Sequence, residues 1–545
     1  MIWTNLGNYK TIAMKSPTDN NSFGLLTAFL MIVIAGLFIQ KDYMDEYPNH
    51  IHAWAEQDHY ALAIGFINNG FDLFHPETMI YNKQFPDWWK TASETTITAA
   101  DFPIHEYCVA LLMQFFGTTS PWVFRLWTLL WGFLGLFFLY RIALRLTDDW
   151  LKSILVTTIA LTSPVYAYFL NGFLPSIPAL SLGIIGLWFY LKYYDSHTKR
   201  HFNLGMVFLT LAMLMRTTFA IELIAILCFE ALRIFRKEST WPDKLPAVFL
   251  SALVFMAYFL WNRHLRNLYG TIFLNQLLPP EDWQDAKELI VKAYNNWGFH
   301  YFQKFQYLVF LLIALIAIGI AIYQSTKKKT TVSSSRKPLS LWWLPLIEVF
   351  GCLLFSVAMM QQMPNHDYYL IDTFFLPVLV LIALLLNVLP KNLNSNGMIC
   401  FFVGIICAIM VFNVTKTQIE RRDDNDLSHI SYINYKDADV FLDSLGIPRD
   451  AKIVCLYGFP QNGPFLQMQR KGLTAMWEKG RLPDAIENWE FDYIVIEDYQ
   501  FVSHFEERKA LLTRLKKVGN NGKISVCTLS DRPLRHDAWE FFYYD

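Results

Sequence analysis

Apolar runs long enough to cross a bilayer recur along this chain, and no other feature restricts its fold so strongly. A backbone facing lipid must satisfy its own hydrogen bonds, and only helices or closed barrels do so. A helical span needs about 20 mostly apolar residues. Candidates cover 23–40, 121–140, 153–171, 174–194, 203–216, 218–235, 246–262, 307–324, 341–361, 369–389 and 397–414, which makes about eleven crossings. Of the 545 residues, 54% are hydrophobic and 17% charged, a balance too apolar for a soluble enzyme of this length. A formal net charge of -1 offers no basic surplus for nucleic acid. The expected fold class is a mainly α, polytopic transmembrane helical bundle of about 11–13 spans. Interfacial helices are expected in its first outer loop and a small α/β domain at its C-terminus.

Charge placement sets the expected topology. The first span follows Lys10 and Lys15 and lacks a small-residue cleavage site, so it reads as a retained anchor with a cytoplasmic N-terminus. Arg141 and Arg145, Lys199 and Arg200, Arg233, Arg236 and Lys237, then Lys327 to Lys329 fall at alternate connections, which marks those connections as cytoplasmic. The alternation holds if the short apolar stretch 102–117 lies in the interface or dips in without crossing. Arg263 and Arg266 then fall outside, against the rule, either as exceptions or held there by an anionic ligand. Residues 1–414 form the membrane domain, with outer loops at 41–101 and 263–304, and 415–545 form an extracytoplasmic domain. In the tail, strand-like runs at Ile453–Leu456, Tyr493–Ile496 and Ile524–Cys527 alternate with helical stretches at 463–470 and 504–517, the pattern of a small parallel sheet. Lys327 to Lys337 reads as a flexible cytoplasmic linker. Of seven cysteines, five lie in apolar segments; Cys455 and Cys527 fall in tail strands and can pair in an oxidising compartment if their geometry permits.

Polar residues placed against this apolar pattern are the candidates for chemistry. The first outer loop opens with a helix pattern from Ile51 to Phe66, stopped by Asn69-Gly70. Ile51, Ala55, Leu62 and Gly65 form one stripe, with Asp58 in its middle and Glu56 on the opposite face, where water accounts for it. A partly desolvated carboxylate at a membrane surface suits general-base work; pairing with an arginine or capping a helix is the structural alternative. Arg216 interrupts an apolar helix at its outer end, where it either snorkels to headgroups or grips an anion such as a lipid phosphate in a bidentate fork. His366-Asp367-Tyr368-Tyr369 opens a late span with hydrogen-bonding groups, the composition of a site and equally of an interfacial aromatic belt. Asp101-Phe-Pro103-Ile-His105-Glu106-Tyr107 makes a second polar turn that either caps a helix or lines the same cavity. His50, His52 and His59 have neither zinc-finger nor HExxH spacing, so no metal site is assigned, and no phosphate-binding glycine loop is present.

In their order, these residues resemble the C-type superfamily of polytopic glycosyltransferases, in the branch holding protein O-mannosyltransferases and lipid A aminoarabinose transferases. The resemblance rests on Asp58 within Glu56-Gln57-Asp58-His59-Tyr60, on the Pro103 turn, on Phe116-Gly117 followed by Arg125-Leu126, and on His366 to Tyr369. It implies an acidic base in the first outer loop, carried to Asp58 with Glu56 and Asp101 as further acids. It also implies basic or aromatic groups that hold a donor phosphate, carried to Arg216, His366, Tyr368 and Tyr369; His59, His105, Arg125 and Arg263 are candidates for the surrounding cavity. Two departures stand out. The family commonly sets Asp and Glu side by side where Gln57 here separates Glu56 from Asp58, and Asp101 stands where the aminoarabinose branch usually has a lysine.

The resemblance implies a multi-pass enzyme of a bacterial inner membrane that moves a hexose or pentose from a polyprenyl-phosphate to a hydroxyl of a lipid, glycan or protein. Membrane lipids are its other partners and no cofactor is implied; a divalent metal is compatible but not indicated. In the expected inverting reaction Asp58 takes the acceptor proton while the lipid phosphate leaves as a stabilised anion, so no second acid is needed. The rival readings are a transporter or lipid-linked sugar flippase, and a membrane-anchored sensor. Large outer pieces and the absence of visible repeats count against the first, and about eleven spans are more than an anchor requires.

Overall fold

The structure, a computed structural model, describes residues 22–83, 93–274, 276–327, 339–391, 393–423, 427–475, 489–503 and 514–529. The expected linker from Lys327 to Lys337 falls almost wholly outside them, as do Lys10, Lys15 and residues 504–513 of the second expected tail helix. Among the described residues, fifteen α-helices precede the tail. They are α1 (Ser22–Gln40), α2 (Ala53–Asn68), α3 (Ile104–Phe116), α4 (Pro121–Thr147), α5 (Trp150–Leu161), α6 (Pro164–Phe169), α7 (Ser176–Ser196) and α8 (Lys199–Met215). There follow α9 (Ala220–Phe235), α10 (Leu245–Tyr269), α11 (Trp283–Tyr301), α12 (Lys304–Lys327), α13 (Trp343–Ala358), α14 (Phe375–Val388) and α15 (Gly397–Arg422).

A helix lies in each of the eleven apolar segments, and the mainly helical polytopic fold class is borne out. Among the described residues six helices, Ser22–Tyr43, Pro121–Thr147, Ser176–Ser196, Leu245–Tyr269, Lys304–Gln324 and Gly397–Arg422, are long and apolar enough to cross a membrane by themselves. The others are shorter, and one reason is visible in the sequence. Pro164 cannot continue α5, so the run 153–171 breaks into α5 and α6, with Ser163 capping the Tyr166 N–H at 3.5 Å. The 13 residues of α3 rise about 20 Å, well under a hydrocarbon core of about 30 Å.

Contacts divide the chain into two units, which differ from the expected division at residue 414. The first comprises 1–45, 125–258 and 276–419, and the second 46–124, 259–275 and 420–545. Within the first, α7 and α8 approach so closely that a Cβ on Gly186 would lie 2.7 Å from Leu209 Cγ, the small-residue packing usual between membrane helices.

The second unit joins α2, α3 and the tail. The tail holds α16 (Leu427–Tyr435), α17 (Ala438–Ser444), β1 (Ile453–Leu456), α18 (Gly463–Met468), β2 (Gly472–Ala475), β3 (Tyr493–Glu497), α19 (Asp498–Ser503), β4 (Leu515–Asn520) and β5 (Ile524–Leu529). Its five strands run in the order β2-β1-β3-β5-β4, with β1 parallel to β2 and β3 while β5 is antiparallel to β3 and β4. The expected all-parallel sheet is thus corrected to a mixed one, and residues 515–517 are strand instead of helix. The physical reason is Asn521-Gly522: Gly522 sits at φ +80°, and Asn-Gly between two extended runs is a strong hairpin signal. Cys455 on β1 and Cys527 on β5 have β3 between them, so about 10 Å of sheet separates them where a disulfide tolerates about 7 Å. All seven cysteines are free thiols.

The first outer loop pairs with the edge of this sheet. Tyr81 N–H donates to Gly472 O at 2.9 Å and Gly472 N–H to Met79 O at 3.0 Å, so Ile80 forms an isolated parallel bridge with Gly472 at the β2 edge. Asn82 locks the register, giving a hydrogen bond to Thr474 O at 2.9 Å and taking one from Thr474 N–H at 2.7 Å. Both regions are thereby held around α2.

Candidate active site

Asp58 sits on α2, whose end follows the expected signals: the Asn69 N–H closes on Gly65 O and Gly70 turns the chain at φ +71°. Gly65 permits the loop to return across this helix, since a Cβ there would lie 1.9 Å from Glu77 O. The return path and the tail bury the Asp58 carboxylate to 3% exposure. Its one side-chain partner among the described residues is Asn462, whose Nδ2 donates to Asp58 Oδ1 at 2.7 Å. Burial pushes Asp58 up to about 8, and the Asn462 hydrogen bond only partly opposes that rise. A carboxylate tuned this way binds a proton from a hydroxyl far better than an exposed aspartate does.

Glu56 departs from its expected place. It is 2% exposed, not on a watered face, because α2 is covered on both sides within its unit and the helical projection assumed one apolar stripe. His59, the next residue after Asp58, donates or accepts at Nδ1 with Glu106 Oε1 at 2.6 Å, and its ring lies 5.2 Å from that of Phe273. Burial raises the Glu106 carboxyl, but the His59 hydrogen bond and the His59 and His105 charges more than offset this and hold it below its ordinary value. His105 is fully buried with its ring 5.0 Å from Phe124, and Asp101 is half-buried at the turn before α3. His50 bonds Glu46 at 2.9 Å, so His50 and His59 serve separate carboxylates. Among the described residues no group of three His, Cys, Asp or Glu side chains is placed to hold a metal ion. Arg263 is exposed on α10.

Sequence reasoning missed Lys83, whose amine is buried and donates to Ile97 O at 2.5 Å; burial brings it down to about 7, with Glu77 raising and Lys471 lowering it. It missed Asn462 as well. No local signal marks that residue, which lies 404 positions from the acid it touches.

The first unit holds a different cluster. Arg216 ends α8 in an extended conformation, and its Nε donates to Asp372 Oδ2 at 2.8 Å. Its guanidinium lies 5.3 Å from the centre of the Tyr368 ring, and the His366 ring is 5.3 Å from Tyr368 and 5.5 Å from Tyr369. The structure therefore brings Arg216, His366, Tyr368 and Tyr369 together, around a buried acid that the sequence reading did not single out. The signal existed: an arginine at a span's end asks for an anion, and Asp372 follows His366 within the same short turn. Arg125 is occupied elsewhere in this unit, donating to Asn171 O at 3.0 Å and stacking 4.8 Å from Phe173.

The fold is polytopic and helical, with a buried acid of raised proton affinity in one unit and, in the other, a guanidinium beside a tyrosine ring and a buried aspartate. Residues 100–261, under a third of the chain, match the family described as Dolichyl-phosphate-mannose-protein mannosyltransferase. That segment contains Asp101, His105, Arg125 and Arg216, whereas Asp58 and His366 lie outside it. The fold matches the structure of ArnT from Cupriavidus metallidurans bound to undecaprenyl phosphate, with a TM-score of 0.58 at 10% identity over 93% of this chain and 98% of that one. The same protein in its apo state gives 0.50 at 11% identity over the same shares. The oligosaccharyltransferase of Archaeoglobus fulgidus gives 0.49 at 11% identity over 94% of this chain and 76% of that one. No curated protein matches. The family model thus matches one segment of the chain, and the fold expected from the resemblance to C-type glycosyltransferases is found.

Proposed function

We propose that this protein transfers a sugar from a polyprenyl-phosphate to an acceptor hydroxyl on the extracytoplasmic side of its membrane, with inversion at the anomeric carbon and Asp58 as general base. The acceptor oxygen forms its bond to the anomeric carbon as the bond from that carbon to the phosphate oxygen breaks. The hydroxyl proton passes to Asp58, and the electron pair leaves with the lipid phosphate. Because phosphate is a stable anion, no acid is needed to protonate the leaving group. The observation that carries this reading is an isolated, buried carboxylate whose charge is countered by one neutral amide and whose proton affinity lies near neutrality.

The undecaprenyl phosphate in the ArnT structure supports a donor of that class. In the first unit, the group whose chemistry suits a lipid phosphate is the Arg216 guanidinium with Tyr368, Tyr369 and His366 around it. The acceptor class stays as broad as lipid, glycan or protein. The test is incubation of the purified full chain with radiolabelled undecaprenyl-phosphate hexoses and pentoses and a membrane extract. Label moving into an extract component supports transfer, and its loss in Asp58→Asn supports the base. Label that stays on lipid in wild-type protein, or an Asp58→Asn protein that transfers at the normal rate, would overturn the proposal.

A further inference from the structure

The turn between β1 and α18 carries a residue with an unusual pair of partners. Asn462 is fully buried, its Nδ2 donates to Asp58 Oδ1 at 2.7 Å, and its own Oδ1 accepts the Met79 N–H at 3.2 Å. One end of the amide is thus bound to the first outer loop and the other to the acid. Because the oxygen is committed to a backbone donor, the amide must present its NH2 to the carboxylate and cannot turn its acceptor there. The turn is seated tightly as well: a Cβ on the next residue, Gly463, would lie 2.4 Å from Gln57 Oε1, and Gln57 Nε2 is itself held by Pro48 O at 2.7 Å. Asp58 Oδ2 has no hydrogen-bond partner among the described residues.

We infer that Asn462, supplied by the C-terminal domain, is a positioning residue for Asp58: it fixes Oδ1, leaves Oδ2 as the oxygen that meets the acceptor proton, and favours the ionised carboxylate. The inference rests on the proposed role of Asp58 as base. Two carboxylate oxygens sharing one rotating side chain would otherwise present either lone-pair set, and a base held within hydrogen-bond reach in one orientation is worth more than a mobile one. A neutral donor also suits the task, because it aids ionisation without the strong depression that a guanidinium or ammonium would cause. The titratable groups on the surrounding elements are Glu56 and His59 on α2, Glu77 and Lys83 on the returning loop, Asp101, His105 and Glu106 at α3, and Tyr457 after β1. None of them sets the Asp58 equilibrium, whose causes are burial upward and Asn462 downward. The C-terminal domain therefore supplies part of the base, beyond covering it.

The experiment titrates Asp58 directly in the full-length protein by infrared difference spectroscopy. The protonated-carboxyl band that disappears in Asp58→Asn is assigned to Asp58 and followed with pH. In wild type its midpoint is expected at about 8. In Asn462→Ala it should move up by about one to two pH units, the value of a hydrogen bond to a charged group. Asn462→Ser, too short to reach Met79 and Asp58 together, should move it in the same direction and serves if the alanine variant does not fold. Asn82→Ala removes two hydrogen bonds between the same loop and β2 without touching Asp58, and should leave the midpoint in place. An unmoved midpoint in a folded Asn462 variant overturns the inference, and so does an equal shift in Asn82→Ala. Either result leaves the base assignment standing, since that assignment is judged separately by sugar transfer in Asp58→Asn.

Discussion

Two buried aspartates, one in each unit, sit in opposite surroundings. Asp372 and Asp58 are 2% and 3% exposed. Asp372 meets the Arg216 guanidinium at 2.8 Å, while among the described residues the one side-chain partner of Asp58 is the neutral Asn462 amide at 2.7 Å. In the first unit the carboxylate and the guanidinium hold each other in place. Asp58, with no cation beside it among the described residues, is pushed up to about 8 by burial. The first arrangement suits a structural ion pair, and the second is the one proposed here as the base.

The sharpest way to break this contrast is to remove the titration. Asp58→Asn keeps the shape and the Asn462 contact but cannot take a proton, so transfer from a polyprenyl-phosphate sugar should fall by about 10²- to 10⁴-fold. In wild type, kcat/KM should rise with pH and level off above about 8, because the base works only when ionised and burial has lifted it to that range. Stability runs the other way. A carboxyl whose proton affinity is raised in the folded state stabilises fully below its unfolded value of about 4 and loses that contribution as pH rises through about 8. Melting temperatures taken at pH 5 and pH 8.5 should therefore decline in wild type, and the decline should flatten in Asp58→Asn. A pH–rate profile with no acidic limb would remove the distinction between the two acids.

Arg216 offers the second test, with an effect on stability instead of proton transfer. Arg216→Ala strands Asp372 without its cation, and breaking a buried pair in this way costs about 3 to 5 kcal/mol. The double variant Arg216→Ala with Asp372→Asn leaves no buried charge and should recover most of that loss. If transfer also recovers, Arg216 serves the fold alone; if the protein folds well and transfer stays low, the guanidinium has a task besides holding Asp372. Denaturation in detergent micelles read beside the transfer assay separates these outcomes.

The contrast was only half legible in the sequence, for reasons of range. Apolar periodicity is local, so each of the eleven helical segments and the α2 helix with its Asn69-Gly70 stop could be read from neighbouring residues. The Pro164 break and the Asn521-Gly522 hairpin carried local signals too, although a propensity for span length and a βα alternation masked them. Asp58 stood out because a charge on an apolar stripe is a local contradiction. What sets its surroundings is burial and the contact with Asn462, and both depend on a sheet edge pairing with a loop hundreds of residues away. Glu56 was misplaced on the same account, since its covering comes from outside the helix that was projected.

The smallest expected effect bears on a rival within the same unit. His59 adjoins Asp58 in sequence and is bonded to Glu106 at 2.6 Å, and a histidine oriented by a carboxylate is itself a familiar general base. Its surroundings argue for a structural part: Nδ1 is held by Glu106, the ring lies 5.2 Å from Phe273, and Glu106 is a fully buried partner on α3 that ties this helix to α2. Glu106→Gln keeps a hydrogen bond of similar length and removes the charge, so it should cost about 1 kcal/mol of stability and change transfer less than about tenfold. The acidic limb of the pH–rate profile should stay where Asp58 puts it. If instead the folded Glu106→Gln protein loses transfer as completely as Asp58→Asn, and the limb moves, the proton is carried by the histidine pair, and the isolated aspartate becomes the structural member of the two.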